Sequence, residues 1–141
     1  MDRFSDHLFV SYSSKDFDAV FSVVQALEEA GISIWIDKKG ILGGEDHTRE
    51  IPKAIRKSQA MLLFMSSNAF ESDDVRTEVH LARRKHKKPI IPIQLEDIEV
   101  PETFEYNLSA QNHIKVYGRS SSAWLKDLKA SLEGQGIRFA P

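Results

Sequence analysis

The sequence predicts an α/β domain: a flavodoxin-like five-stranded parallel sheet of order 2-1-3-4-5 with helices on both faces. Three observations carry that expectation. Short apolar, β-prone runs alternate with segments of helical spacing from end to end, which implies right-handed βαβ units. One run, Ala60–Met65 (A-M-L-L-F-M), shows no polar alternation, as expected of a strand buried on both faces of a parallel sheet. The runs number five, which suggests the flavodoxin-like strand order.

Leu8–Tyr12 (L-F-V-S-Y) is the first strand. Phe17, Val20, Phe21, Val24 and Leu27 recur at helical spacing, and Gly31 ends that helix. Ser13 followed by Asp16 has the pattern of a capping box at its start. Ile32–Ile36 is the second strand, and a glycine-containing loop, Asp37 to His47, follows it. Ile51, Ala54, Ile55 and Ser58 mark the second helix, with Pro52 tolerated in its first turn. After the third strand comes a polar loop, Ser66 to Asp74, and a helix carrying Val75, Val79 and Ala82. Ile90–Leu95 is the fourth strand, in which Pro92 suggests an edge or a bulge. Glu96 to Glu105 reads as an acidic loop and His113–Val116 as the fifth strand. Trp124, Leu125, Leu128 and Leu132 form the last helix, closed by Gly134.

Size and composition agree with one such domain. The chain has 141 residues, 41% hydrophobic and 28% charged, enough to bury roughly two-thirds of its extended surface. We expect a single domain over residues 1–141, with a core of about 6–133, as the N-terminal module of a longer protein. Cys 0 excludes a disulfide framework and thiolate metal sites. The acids near the N-terminus do not resemble a signal peptide, and no apolar stretch nears the roughly 20 residues of a membrane span. A cytoplasmic location is the expectation. A formal charge of −2 carries no footprint for nucleic acid or a membrane surface, so neither is expected as a partner. The basic run Arg83–Lys88 reads as a helix C-terminus complementing its macrodipole. Glu96–Glu105 is either its counterpart in a neighbouring copy or a solvated loop.

In the predicted strand order the switch point lies between the first and third strands, so a ligand crevice should open at their C-terminal ends. Tyr12–Lys15 and Ser66–Asp74 fall there, with the Asp37–His47 loop overhanging. Hydroxyls and free N–H groups at a helix start suit a phosphate or ribose, although Ser13 or Ser14 could be plain N-caps. Glu78 is the sharpest single residue. On a helical wheel it falls roughly 60–70° from the centre of Val75, Val79 and Ala82. It therefore borders the buried stripe, either as a partly desolvated functional carboxylate or as a boundary Glu paired with Arg49 or Arg76. The five histidines form no HxxxH or HExxH pair, so no metal site is expected. Phosphate-loop and GxGxxG signatures are absent, as are the acidic positions a receiver domain would need.

Several ordered motifs resemble one family. F-V-S-Y-S-S-K-D (Phe9–Asp16) is similar to the first box of the TIR (Toll/interleukin-1 receptor) domains. I-W-I-D, the loop G-I-L-G-G-E-D and I-P-K-A-I-R-K-S (Ile51–Ser58) resemble its second box and BB loop. M-L-L-F-M-S-S-N-A-F (Met61–Phe70) with S-D-D-V-R-T-E-V-H-L-A (Ser72–Ala82) resembles the bacterial form of its third strand and catalytic helix, and K-K-P-I-I-P-I (Lys87–Ile93) its fourth strand. The resemblance spans about residues 6–133.

The resemblance implies an NAD+ nucleosidase that takes NAD+ as substrate, needs no cofactor, and gives ADP-ribose or a cyclised isomer in bacterial immune signalling. It implies Glu78 as the catalytic residue, Ser13 and Ser14 as nucleotide contacts beside Tyr12, and BB-loop contacts over Leu42–Asp46. Asp74 stands where active members often carry Trp, and Asp46 near the place of an aromatic that covers nicotinamide. It also implies self-association with other TIR domains through the loop at 37–47, or, alternatively, a non-catalytic scaffold that works by such contacts alone.

Overall fold

The structure, a computed structural model, describes residues 7–37, 50–108 and 113–137. Its elements in chain order are β1 (Leu8–Ser11), α1 (Phe17–Glu29), β2 (Ile34–Ile36), α2 (Glu50–Lys57), β3 (Ala60–Met65) and α3 (Ser67–Phe70). They continue with α4 (Asp73–His80), β4 (Ile90–Gln94), α5 (Glu102–Glu105), β5 (Ile114–Lys115) and α6 (Ser121–Gly134). The strands form one parallel sheet of order β2-β1-β3-β4-β5, the order expected from the sequence.

Alternation along the strands divides the core in two. Leu8, Val10, Tyr12, Leu62, Phe64, Ile91 and Ile93 pack on one face with α1 and α6. Phe9, Met61, Leu63, Met65 and Ile90 pack on the other with α2, α4 and α5. Every residue of β3 is buried, which is why its sequence shows no polar alternation. A Leu63→Ala change at its centre would cost about 2–5 kcal/mol.

Both long helices end in the same way, and the second corrects the reading of Gly134. At α1 the C-terminal turn closes through Gly31 (φ 88), with Ile32 N–H donating to Leu27 O. At α6 the corresponding residue is Gly136 (φ 77), with Ile137 N–H on Leu132 O, while Gly134 is still helical. In each case the apolar residue after the glycine folds back onto the core, so the stop is set by a Schellman pair rather than by the first glycine reached.

Two further expectations are corrected. The stretch Ser66–Asp74 is not all loop: Ser66 caps the short helix α3 through an Ala69 N–H bond of 2.9 Å. Pro92 lies in the fourth of five strands, not at an outer edge. Leu95 N–H donates to Met65 O, so alternate nitrogens face β3 and that of Pro92 faces β5. Pairing with β5 begins only at Ile93 opposite Ile114, so the missing N–H falls where no strand needs it.

Candidate functional site

The C-terminal ends of β1 and β3 meet at the switch point, where the last residue of β1 and the one after it send their side chains in opposite directions. Ser11 points to the α4 face and Tyr12 to the α1/α6 face. Helix α4 starts at a Ser72 cap, whose hydroxyl accepts from Val75 N–H at 3.2 Å. Val75 and Val79 then anchor it on the sheet. Glu78, on the border of that stripe, is only 3% exposed. The Ser11 hydroxyl donates to Glu78 Oε1 at 2.7 Å. The alternative pairing with Arg76 does not form: that guanidinium turns back one turn to Asp73 at 2.7 Å. Arg49 lies outside the described residues.

Tyr12 is wholly buried, and its hydroxyl donates to the backbone carbonyl of Asp37. This tie holds the end of β2 against the end of β1 at the point where the 38–49 segment leaves. Burial raises the Tyr12 phenol above the ordinary tyrosine range, with the nearby charges of Asp37 and Glu78 adding to it. The phenol therefore stays protonated and keeps donating.

The rest of the rim is laced by long-range hydrogen bonds. Ser13 accepts from Lys15 N–H at 3.3 Å and caps a short 3₁₀ turn, Ser14–Asp16, while Ser14 itself is exposed. Asp16 does not complete a capping box. Its carboxylate instead accepts from Ser66 Oγ and from Asn68 Nδ2 (2.9 Å), joining the loop after β1 to the start of α3. On the far side, Ser67 donates both its N–H and its hydroxyl to Glu96 in the loop after β4. Those two bonds hold the Glu96 carboxyl below its ordinary range.

Of the residues singled out in the sequence, Tyr12 and Glu78 lie near enough for the Glu78 charge to act on the Tyr12 phenol, though on opposite faces of the sheet, with Ser13 and Ser14 on the adjoining loop. Asp74 is exposed in the first turn of α4, one helical turn before Glu78. Leu42, Asp46 and the rest of 38–49 lie outside the described residues. Sequence reasoning missed Ser11. Its signal was a lone serine inside an otherwise apolar strand, on the face that α4 covers.

Away from the rim, the helix carrying Glu78 runs into a wider π-type turn, Leu81–Lys85. Arg84 at its end bonds Asn107 Oδ1 (3.1 Å) and lies 4.2 Å over the Tyr106 ring. The basic run thus meets the α5 segment of its own chain. Among the described residues no group of His, Asp and Glu could hold a metal ion, and no helix is long and apolar enough to cross a membrane.

Solved structures share this architecture. The TIR domain of the Toll-related receptor TRR-2 from Hydra magnipapillata superposes with a TM-score of 0.71 at 20% identity, covering 89% of this chain and 97% of that one. A prokaryotic SEFIR domain gives 0.66 at 17% identity, covering 89% and 96%. A structure of the RPS4 and RRS1 TIR domain heterodimer gives 0.65 at 12%, covering 94% and 99%. Such identities speak for the fold alone. Among curated proteins none matches. The TIR domain family model matches residues 8–119, from the first residue of β1 to just short of α6, and the chain belongs to that family.

Proposed function

We propose that the domain is an NAD+ nucleosidase that breaks the nicotinamide–ribose bond, with Glu78 as its catalytic residue. The observation that carries this reading is the Glu78 carboxylate: buried, held by Ser11, and set at the switch-point rim where ligands of doubly wound sheets bind. One carboxylate suffices for this chemistry. The bonding pair of the C1′–N bond leaves with the pyridinium nitrogen, so nicotinamide departs neutral and needs no general acid. The ribosyl carbon becomes oxocarbenium-like, and a fixed negative charge in a poorly hydrated site stabilises it. Water then adds, losing a proton, to give ADP-ribose; a nucleophile within the same molecule gives a cyclic ADP-ribose isomer instead. Ordinary glycosidases need a second carboxyl group because their leaving groups must be protonated.

The remaining residues take supporting parts in this reading. Ser13 and Ser14 contact the nucleotide beside Tyr12, and Leu42 and Asp46, in the chain segment after β2, are further contacts. No cofactor is required. The setting is bacterial immune signalling in the cytoplasm, with activity switched on when copies associate through residues 37–47. Assembly is a known state of related folds: one similar structure is the activated Roq1 resistosome, whose TIR domains match with a TM-score of 0.56. The competing reading is a scaffold that acts only by TIR–TIR contacts, and Asp74 favours it because a carboxylate cannot stack on a base. Incubation with NAD+ over a series of protein concentrations, followed by chromatography for nicotinamide, separates the two. Nicotinamide release that rises faster than protein concentration supports the assembled enzyme. No release up to high micromolar protein leaves the scaffold.

A further inference from the structure

We infer that Ser11 is a positioning residue for this site, its buried hydroxyl fixing the Glu78 carboxylate by donating to Oε1. The inference rests on the nucleosidase reading and concerns a residue of the first motif, Phe9–Asp16, to which that reading gave no part. Ser11 is completely buried at the end of an apolar strand, where a hydroxyl needs a partner. It finds that partner 67 residues away, on another element, at 2.7 Å.

The two ends of this bond differ in rigidity. β1 is an interior strand, paired with β2 on one side and with β3 on the other through Ser11 itself, opposite Leu63. The Glu78 carboxylate sits at the end of a three-torsion side chain whose last torsion has broad, shallow wells. Packing of Val75 and Val79 fixes the helix but does not choose the plane of that carboxylate. A donor fixed in the sheet does. Small misplacements of a reacting group cost up to a hundredfold in rate, so this one hydroxyl should appear in turnover rather than in substrate binding.

The test is steady-state NAD+ cleavage by wild type, S11A, S11T, E78Q and the S11A/E78Q double variant, each first checked for a cooperative unfolding transition. S11A is expected to lower kcat about tenfold to thirtyfold with KM within twofold, and S11T, which keeps the hydroxyl, to recover most of the loss. In the E78Q background S11A should change nothing further, because Ser11 acts through Glu78. Should S11A not fold, S11C keeps the shape with a weak donor and should show the same kcat loss. Wild-type kcat in S11A, an S11T as slow as S11A, or an S11A loss that multiplies fully with that of E78Q would each overturn the inference. Wild-type protein that turns over no NAD+ overturns the functional reading and this inference together, whereas turnover that survives S11A intact overturns only the role of Ser11.

Discussion

Glu78→Gln is the perturbation that separates chemistry from architecture at this site. The replacement keeps the shape and keeps an oxygen able to accept from Ser11 at the 2.7 Å position. What changes is the charge, together with one acceptor oxygen that becomes an NH2 donor. In the fold, the hydrogen bond goes from charge-assisted, worth about 1.5–3 kcal/mol, to neutral, worth about 0.5–1.5 kcal/mol. Against that loss stands relief from desolvating a carboxylate that is 3% exposed. The two oppose each other, so stability should move by no more than about 1 kcal/mol, and the denaturation midpoint should stay near that of wild type. In the transition state nothing offsets the loss. Removing a preorganised electrostatic partner from a developing charge costs about 3 kcal/mol or more, a hundredfold or greater drop in rate. The assay is nicotinamide release from NAD+ at matched protein concentration, run beside urea unfolding of both proteins. E78Q that is folded and cleaves NAD+ at the wild-type rate refutes the assignment of the site.

Four other outcomes follow from particular contacts. Asp16→Ala leaves Ser66 Oγ and Asn68 Nδ2 without their acceptor and should cost about 2 kcal/mol in urea unfolding, with Asp16→Asn recovering part; an unchanged midpoint would show that the rim clamp holds nothing. Lys87 is exposed with φ 53, a left-handed conformation that costs a side chain about 1 kcal/mol, so Lys87→Gly should raise the thermal midpoint by a few degrees, and a fall would contradict the strain. On the proposed reading, Asp74→Trp supplies a ring at the position where the family resemblance implies one and should lower KM for NAD+; an equal or higher KM counts against that view of the pocket. The Glu96 carboxyl is held low in the fold by Ser67, so its contribution is present above the unfolded value near pH 4.5 and is lost as pH falls through the lower folded one. The stability gap between wild type and Glu96→Gln should therefore narrow on acidification below about pH 4.5, and a gap that widens there would reverse the sign.

The sheet order and the core were legible because they follow from periodicity. β3 was read to its exact residues, since six buried positions in a row leave no other pattern. The stripe of Val75, Val79 and Ala82 placed Glu78 at the edge of the core, and the structure finds it there, more deeply covered than a wheel can say. A wheel knows only its own helix, whereas the depth of Glu78 comes from β1 beneath it. The failures share that cause. Arg76 is near Glu78 in sequence, but two residues along a helix put it about 200° away, on the outer face, where it meets Asp73. Asp16 had the spacing of a capping box, yet its carboxylate is taken by residues some 50 positions away. α3 was hidden because a four-residue helix has no period to detect.

The missed contacts belong to one device. At the C-terminal rim Tyr12 ties β1 to the end of β2, Ser11 ties β1 to α4, Asp16 ties the β1 loop to α3, and Glu96 ties α3 to the loop after β4. Together they link every strand from β2 to β4 across the switch point, each by a polar side chain reaching 25 or more residues along the chain. Hydrophobic packing alone sets sheets and helices together without fixing the direction of a polar group, because burial has no angular preference. Hydrogen bonds have one. The apolar core decides that α4 lies over β1; the rim bonds decide where the Glu78 carboxylate points once it is there. An electrostatic catalyst works only if its charge is aimed before the substrate arrives. The ordering cost of these polar side chains is met during folding, when the sheet brings their partners together, and on the proposed nucleosidase reading need not be met again in each turnover.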